Sequence, residues 1–201
     1  MNALRFLEFI QNKTGREIPL SIKWTYFRDT IKEEDLTVEG DVSFAFNKKI
    51  KDLPDNLKIT GELNVMRTNL EVLPKNLQVG THLWLKGTDI HEIPEDTKVG
   101  KILCLTEMEN IHTLPLHTGA TTILADRTNI SHLQDNISIS THLDISYTKV
   151  SEIPKNLRVW RLDIEKTPLL RKYTASEIKK LIEERGGEVY RLYITDTAYI
   201  E

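Results

Sequence analysis

The residues of this chain whose types lend themselves to chemistry are six histidines, the single cysteine Cys104, and the aspartates Asp144 and Asp163. Histidines and carboxylates hold a metal when three or four of them reach one point at bond lengths of about 2.0–2.3 Å. A cysteine becomes a nucleophile only beside a base, with donors for the developing oxyanion. Two adjacent carboxylates can divide the work of acid and base. The sequence holds no Walker motif, no G-x-G-x-x-G after a strand pattern and no EF-hand loop, so no cofactor is expected. Which of the remaining residues can meet is decided by the elements that carry them.

Those elements repeat. Apolar-Pro or apolar-Gln pairs begin at Leu53, Leu73, Ile93, Leu114, Leu133 and Ile153, in steps of 20, 20, 21, 19 and 20 residues. A fixed period of this length is the signature of a solenoid. The unit reads L-P-x-N-L-x-V-G-x-x-L-x-L-x-x-T-x-I-x-x, as at Leu73, Pro74, Asn76, Leu77, Val79, Gly80, Leu83, Leu85, Thr88 and Ile90. Its L-x-L pairs (Leu63/Val65, Leu83/Leu85, Leu103/Leu105, Leu143/Ile145, Leu162/Ile164) have the two-residue period that sends both side chains of a strand to one face. They are the inward positions of a parallel sheet with one strand per coil, its neighbours about 4.8 Å apart.

Thr68, Thr88, Thr128, Thr148 and Thr167 follow the strands at the bend, where a hydroxyl can bond turn backbone, and Met108 interrupts their column. Prolines 54, 74, 94, 115 and 154 fix φ and remove a donor on the return side, which predicts almost no helix there. Leu36, Val38, Gly40, Val42 and Phe44 anticipate Leu57, Ile59, Gly61, Leu63 and Val65 by 21 residues, so residues 36–170 hold about seven coils. The coil around Leu124 is one residue short. Counting back from Thr128 turns Ile123 and Ala125 inward, and counting forward from Leu114 turns Leu124 inward; the first keeps the Thr and Ile130 columns and is preferred.

Residues 1–35 and 171–201 flank the array and read as caps for its open ends. Leu4, Phe6, Leu7, Phe9 and Ile10 predict a short helix over 2–12, and the alternation of Ile18, Leu20, Ile22, Trp24 and Tyr26 predicts a strand over 18–26. After the repeats, Ser176, Glu177, Ile178, Leu181 and Ile182 predict an amphipathic helix ended by Gly186 and Gly187, then a strand over "EVYRLYIT". The lone "RGG" at Arg185 is that helix end. The expected fold is mainly β with α caps: a solenoid with short parallel strands on one face, few or no convex helices, and a helix-strand cap at each end.

On this frame the chemical residues separate. His82 and His142 share a column but lie three coils apart, about 14 Å at ~4.8 Å per coil, too far to share a zinc ion. His91 and His112, with His117 and His132 nearby, read as polar turn residues. Cys104 sits on the outward side of its strand, with His82 and Asp126 as candidate bases and no oxyanion-hole glycine beside it. Asp144 and Asp163 are neighbours in an outward column and read as solvated. No catalytic residue and no metal site is expected.

The outward face itself is the more informative surface. Its central column is Ser43, Asn64, Trp84, Cys104, Leu124, Asp144 and Asp163. Met66, Trp84, Ile102, Cys104 and Leu124 form an apolar cluster bordered by His82, Lys86 and Asp126, and these eight residues are the expected partner-binding site. Apolar patches with polar rims mark partner sites, and Trp is a frequent hot-spot residue. The alternative is that Trp84 serves as ladder support or lies under a terminal segment.

This repeat resembles the leucine-rich-repeat class. It is similar to the short LP-containing repeats of bacterial effectors, and closer to the L-P-x-N-L-x-V-G-x-L-x-L-x-x-T units of repeat proteins from tailed phages and bacteria. The resemblance covers residues 36–170 and implies a curved scaffold that binds another protein on its concave face; a phage-like relative implies a host protein that is inhibited or redirected. Bacterial effectors often carry a cysteine ubiquitin-ligase domain after the repeats. No cysteine follows residue 104 here, so that activity is not carried over and the protein is expected to be non-enzymatic.

Composition narrows the partners further. The 201 residues are 39% hydrophobic and 28% charged, a folded composition, and the net charge of -3 comes from interspersed acids and bases. No field draws the chain to nucleic acid or to a membrane surface. Arg5 and Glu8 interrupt "MNALRFLEFIQNK" before a signal-peptide core, and no apolar run approaches the roughly 18 residues of a span. A cytoplasmic location is expected, which also suits a lone cysteine and makes the sequons at Asn12, Asn129 and Asn136 coincidental. Self-assembly into a homo-oligomer, through the patch or the solenoid ends, is the other reading of the same surface.

Overall fold

The computed structural model describes residues 18–115, 117–195 and 198–200. The helix expected over 2–12 lies outside them. The chain winds as a parallel β-solenoid with two strand-bearing sides. The shorter sheet stacks β1 (Thr37–Val38), β3 (Lys58–Ile59), β5 (Gln78–Val79) and β7 (Lys98–Val99). The longer stacks β2 (Val42–Ser43), β4 (Leu63–Asn64), β6 (His82–Trp84), β8 (Ile102–Cys104), β9 (Thr122–Leu124), β10 (Ser138–Asp144) and β11 (Arg158–Asp163). Seven repeat strands are thus linked by six turns of chain. Among the described residues no helix interrupts 37–168, as the return-side prolines require.

The inward rows stack like on like. Leu63, Leu83, Leu103, Ile123, Leu143 and Leu162 occupy one ladder row, and all are buried. The short coil keeps the register that turns Ile123 and Ala125 inward, because a one-residue slip would expose both and break the Thr column. At the bend after each strand, the hydroxyls of Thr68, Thr88, Thr128, Thr148 and Thr167 donate to the carbonyl three residues back, at 2.6–2.8 Å. Met108 fills that column's gap with a fully buried side chain.

Two further columns exist for backbone reasons. Asn56, Asn76, Asn136 and Asn156 hold left-handed φ of 55–66°, which asparagine tolerates better than most residues. Their amides also bond up the stack, Asn76 to Asn56 at 3.0 Å and Asn156 to Asn136 at 2.8 Å. The repeated glycine sits at the corner between the two sheets. A Cβ on Gly80 or Gly100 would lie 2.0 Å from the carbonyl oxygen of Thr60 or Gly80 in the preceding coil, so glycine there permits the coils to stack.

The ends differ from the repeats. Residues expected as a strand over 18–26 instead form helix α1 (Leu20–Tyr26). A strand would have to bury the whole alternating set on one face, yet Ile22 and Tyr26 are 44% and 61% exposed while Ile18 and Leu20 are buried. Leu20 and Trp24, one helical turn apart, are the pair that packs on the first coils, and Trp24 Nε1 donates to the Asp52 carbonyl at 2.8 Å. Pro19 precedes the first turn with φ −54°, compatible with a helix start, and Lys23 pairs with Asp35.

At the far end α2 (Leu169–Lys172) leads into α3 (Ala175–Glu184), which opens with a Thr174–Glu177 capping box. Ala175, Ile178 and Ile182 of α3 are buried. Gly186, at φ +77°, ends the helix and turns the chain into β12 (Glu188–Thr195), which joins the long sheet parallel to β11, with β13 (Ala198–Ile200) antiparallel beyond it. Among the described residues no helix is long and apolar enough to cross a membrane.

Two substitutions test this packing. Gly100→Ala should cost about 1–3 kcal/mol, because the colliding atom is backbone and cannot swing away. Thr97 stands in the column of Leu57, Leu77 and Leu157, fully buried, and its hydroxyl has no hydrogen-bond partner. Thr97→Val should therefore gain about 1 kcal/mol, a rise in melting temperature of roughly 2–4 °C in a thermal melt.

Candidate functional site

The outward face of the long sheet is set by ladder register. Asn64, Trp84, Cys104, Leu124, Asp144, Asp163 and Tyr193 are successive partners in the central row. His82, Ile102, Thr122, His142 and Arg161 form the row beside it. The strands thus bring together the columns expected from the repeat, and the face divides into two halves.

The first half carries the predicted apolar cluster. Met66, Trp84, Ile102 and Leu124 are half-buried, so each keeps part of its surface in water. Cys104 keeps its expected place in the outward row, between its ladder neighbours Trp84 and Leu124, but it is only 5% exposed. Its Sγ donates to Thr106 Oγ1 at 3.4 Å, and Thr106 in turn donates to Asp126 at 2.6 Å. Trp84 is fixed by Nε1 donating to Glu62 Oε2 at 3.0 Å, with the His82 ring 5.8 Å away and His82 Nδ1 3.6 Å from the same carboxylate. Lys86 pairs with Glu107 at 3.0 Å, and this contact holds the Glu107 carboxyl below its ordinary range.

The second half is charged, and it is not simply solvated. Asp163 is only 8% exposed because β12 continues the sheet past it and places Tyr193 alongside. Arg161 Nε and Nη2 donate to Asp163 Oδ1 and Oδ2 at 2.8 and 2.6 Å, a bidentate pair, while the guanidinium lies 3.8 Å from the Tyr193 ring centre. His142 Nε2 stands 3.1 Å from Asp163 Oδ2 without an aligned hydrogen bond. Burial pushes the Asp163 carboxyl up, but His142 and Arg161 outweigh it and hold the group below the ordinary carboxylate range. Asp144 goes the other way. Burial raises it, the charges of Asp163 and Asp126 add to the effect, and donation from Ser146 only partly offsets them. A cavity of about 310 Å³ opens over these groups, with Tyr147, Arg127 and Glu165 on its walls.

Reading the histidines singly against one another missed the trio His142, Asp144 and Asp163, because its members come from two adjacent strands. Among the described residues these are the His, Cys and acidic side chains whose ligand atoms converge, all within 4.8 Å of one another. His91 and His117 line a separate cavity of about 320 Å³ on the return side. Comparison with protein-family models, with curated proteins and with solved structures finds no match to this chain.

The opposite shifts of the two aspartates have opposite signs in stability. Asp144, raised in the folded state, lowers stability as pH rises from the ordinary carboxylate range through its own higher value; Asp163, depressed, contributes stability that is lost as pH falls through its lower value. Asp144→Asn keeps an acceptor for Ser146 and removes the charge. It should raise the melting temperature at pH 7, and that advantage should disappear below about pH 3, where the aspartate is protonated in both states.

Proposed function

We propose that this chain is a non-enzymatic protein-binding module that uses the outward strand face of a leucine-rich-repeat-like solenoid. The observation that carries the reading is the half-exposed stripe of Trp84, Ile102 and Leu124, with Met66 beside it, on strands whose other outward positions are His82, Cys104 and Thr122. Strand backbones bonded on both sides hold these side chains in place, so little conformational freedom is left to lose on binding. Trp84, anchored to Glu62 through its indole nitrogen, supplies a rigid aromatic of the kind that dominates interface energetics. The bordering groups His82, Lys86 and Asp126 form a polar rim, and Cys104 contributes packing beneath the stripe.

The resemblance of the repeat to short units of tailed-phage and bacterial proteins extends the proposal: the partner is a host cytoplasmic protein that the module inhibits or redirects. Affinity capture from host lysate tests it, with the wild-type chain beside a Trp84→Ala, Leu124→Asp double variant whose fold is checked by circular dichroism. A protein retained by the wild type should be lost by the variant, and loss of Trp84 alone should weaken binding by about 2 kcal/mol or more. Equal retention by both would move the site off this face. A concentration-dependent doubling of mass in solution, abolished by the same substitutions, would instead make the stripe a self-association surface.

A further inference from the structure

The geometry points to a divalent transition-metal site on the charged half of the sheet, with His142 Nε2, one oxygen of Asp144 and one of Asp163 as its protein ligands. Three observations carry it. The ligand atoms lie within 4.8 Å of one another on two strands locked in register, with Asp144 directly paired to Asp163 and His142 to Arg161. Side-chain rotation alone can therefore close them on an ion.

The second is that the groups are incompletely served. His142 Nε2 is buried and stands 3.1 Å from Asp163 Oδ2 without an aligned hydrogen bond, and Asp144 faces the negative charges of Asp163 and Asp126. Arg161 takes one acceptor position on each oxygen of Asp163, and a carboxylate oxygen has a second. Asp126 is paired with Arg127 and Asp163 with Arg161, so among the described residues Asp144 is the aspartate of the group with no ion pair of its own, a charge that a dication would neutralise.

The third is room. The 310 Å³ cavity is lined by Asp144 and Asp163, while His142 lies outside its lining, and it is open to solvent, so water or a group from outside can reach an ion held at the two carboxylates. One imidazole with two carboxylates suits zinc or its neighbours better than calcium or magnesium, which prefer sets of oxygens.

The test is titration calorimetry of the chelator-stripped full chain with Zn²⁺, with Ca²⁺ in parallel, and with Co²⁺ read by its visible absorption. One Zn²⁺ should bind per chain, weakened about tenfold or more by His142→Ala and by Asp144→Asn, while His91→Ala with His117→Ala changes nothing. Co²⁺ should develop ligand-field bands in the wild type that are lost in His142→Ala. Circular dichroism without metal shows whether each variant is folded. No Zn²⁺ binding by the wild type would overturn the proposal, as would undiminished binding in folded His142→Ala, loss of binding in the His91, His117 variant, or Ca²⁺ binding as tight as Zn²⁺. The protein-binding reading of the apolar stripe stands or falls separately, because none of these variants replaces Trp84 or Leu124.

Discussion

Backbone hydrogen bonds from each coil to the next are the constraint on which everything else here rests. A strand of two or three residues cannot persist alone, and its donors find acceptors only one repeat away: Leu85 N to Cys104 O at 3.0 Å, Leu105 N to Leu124 O at 2.7 Å, Ala125 N to Asp144 O at 2.8 Å. Each coil is therefore held to nearly the same length, and every position acquires a neighbour of its own kind at strand spacing. Inside, that requirement is benign, since leucine on leucine excludes water. At the corner it admits only glycine, because coils this close bring carbonyl oxygens to where a Cβ would be.

Outside, the same constraint creates tension. Asparagine columns resolve it by bonding amide to amide, and threonines by turning their hydroxyls down to their own coil's carbonyls. Aspartates have no such escape. Asp144 and Asp163 are forced into register as surely as Leu143 and Leu162 beside them. The chain answers with Arg161 two residues before Asp163 on the same strand face, and with His142, Arg161's ladder partner on the adjacent strand. His142 and Arg161 together settle one carboxylate and leave the other to its burial, which is why their pKa values move in opposite directions.

The inward half of this architecture was legible from spacing alone, since the period-two pairs and the twenty-residue step each point to one answer, including the register of the short coil. What was not legible is burial on the outward side. Cys104 and Asp163 read as exposed because alternation assigns a direction, not an amount of cover. Trp84 and Leu124 flank the first, and the second lies under a strand supplied by the cap rather than by the repeat. The segment 18–26 failed for a related reason. Five alternating apolar residues satisfy a strand pattern, but a helix needs only Leu20 and Trp24 to cover the first coils, and at the end of a sheet the smaller demand prevails. The trio at His142 escaped because a histidine weighed against other histidines is not weighed against the acids one coil away.

The division of the outward face into an apolar and a charged half follows from the same lattice. A loop-built surface can rearrange to hide an awkward side chain, whereas a position on a strand bonded on both sides is fixed to within a rotamer. The sheet must therefore carry its tryptophan half in water and its aspartates in contact, and both are free energy held in reserve. A ligand that covers Trp84 and Leu124 removes apolar area from water, and a cation placed between Asp144 and Asp163 relieves their repulsion, each with little reordering of the protein. A rigid repeat that enforces unfavourable neighbours thereby prepares its surface for whatever resolves them.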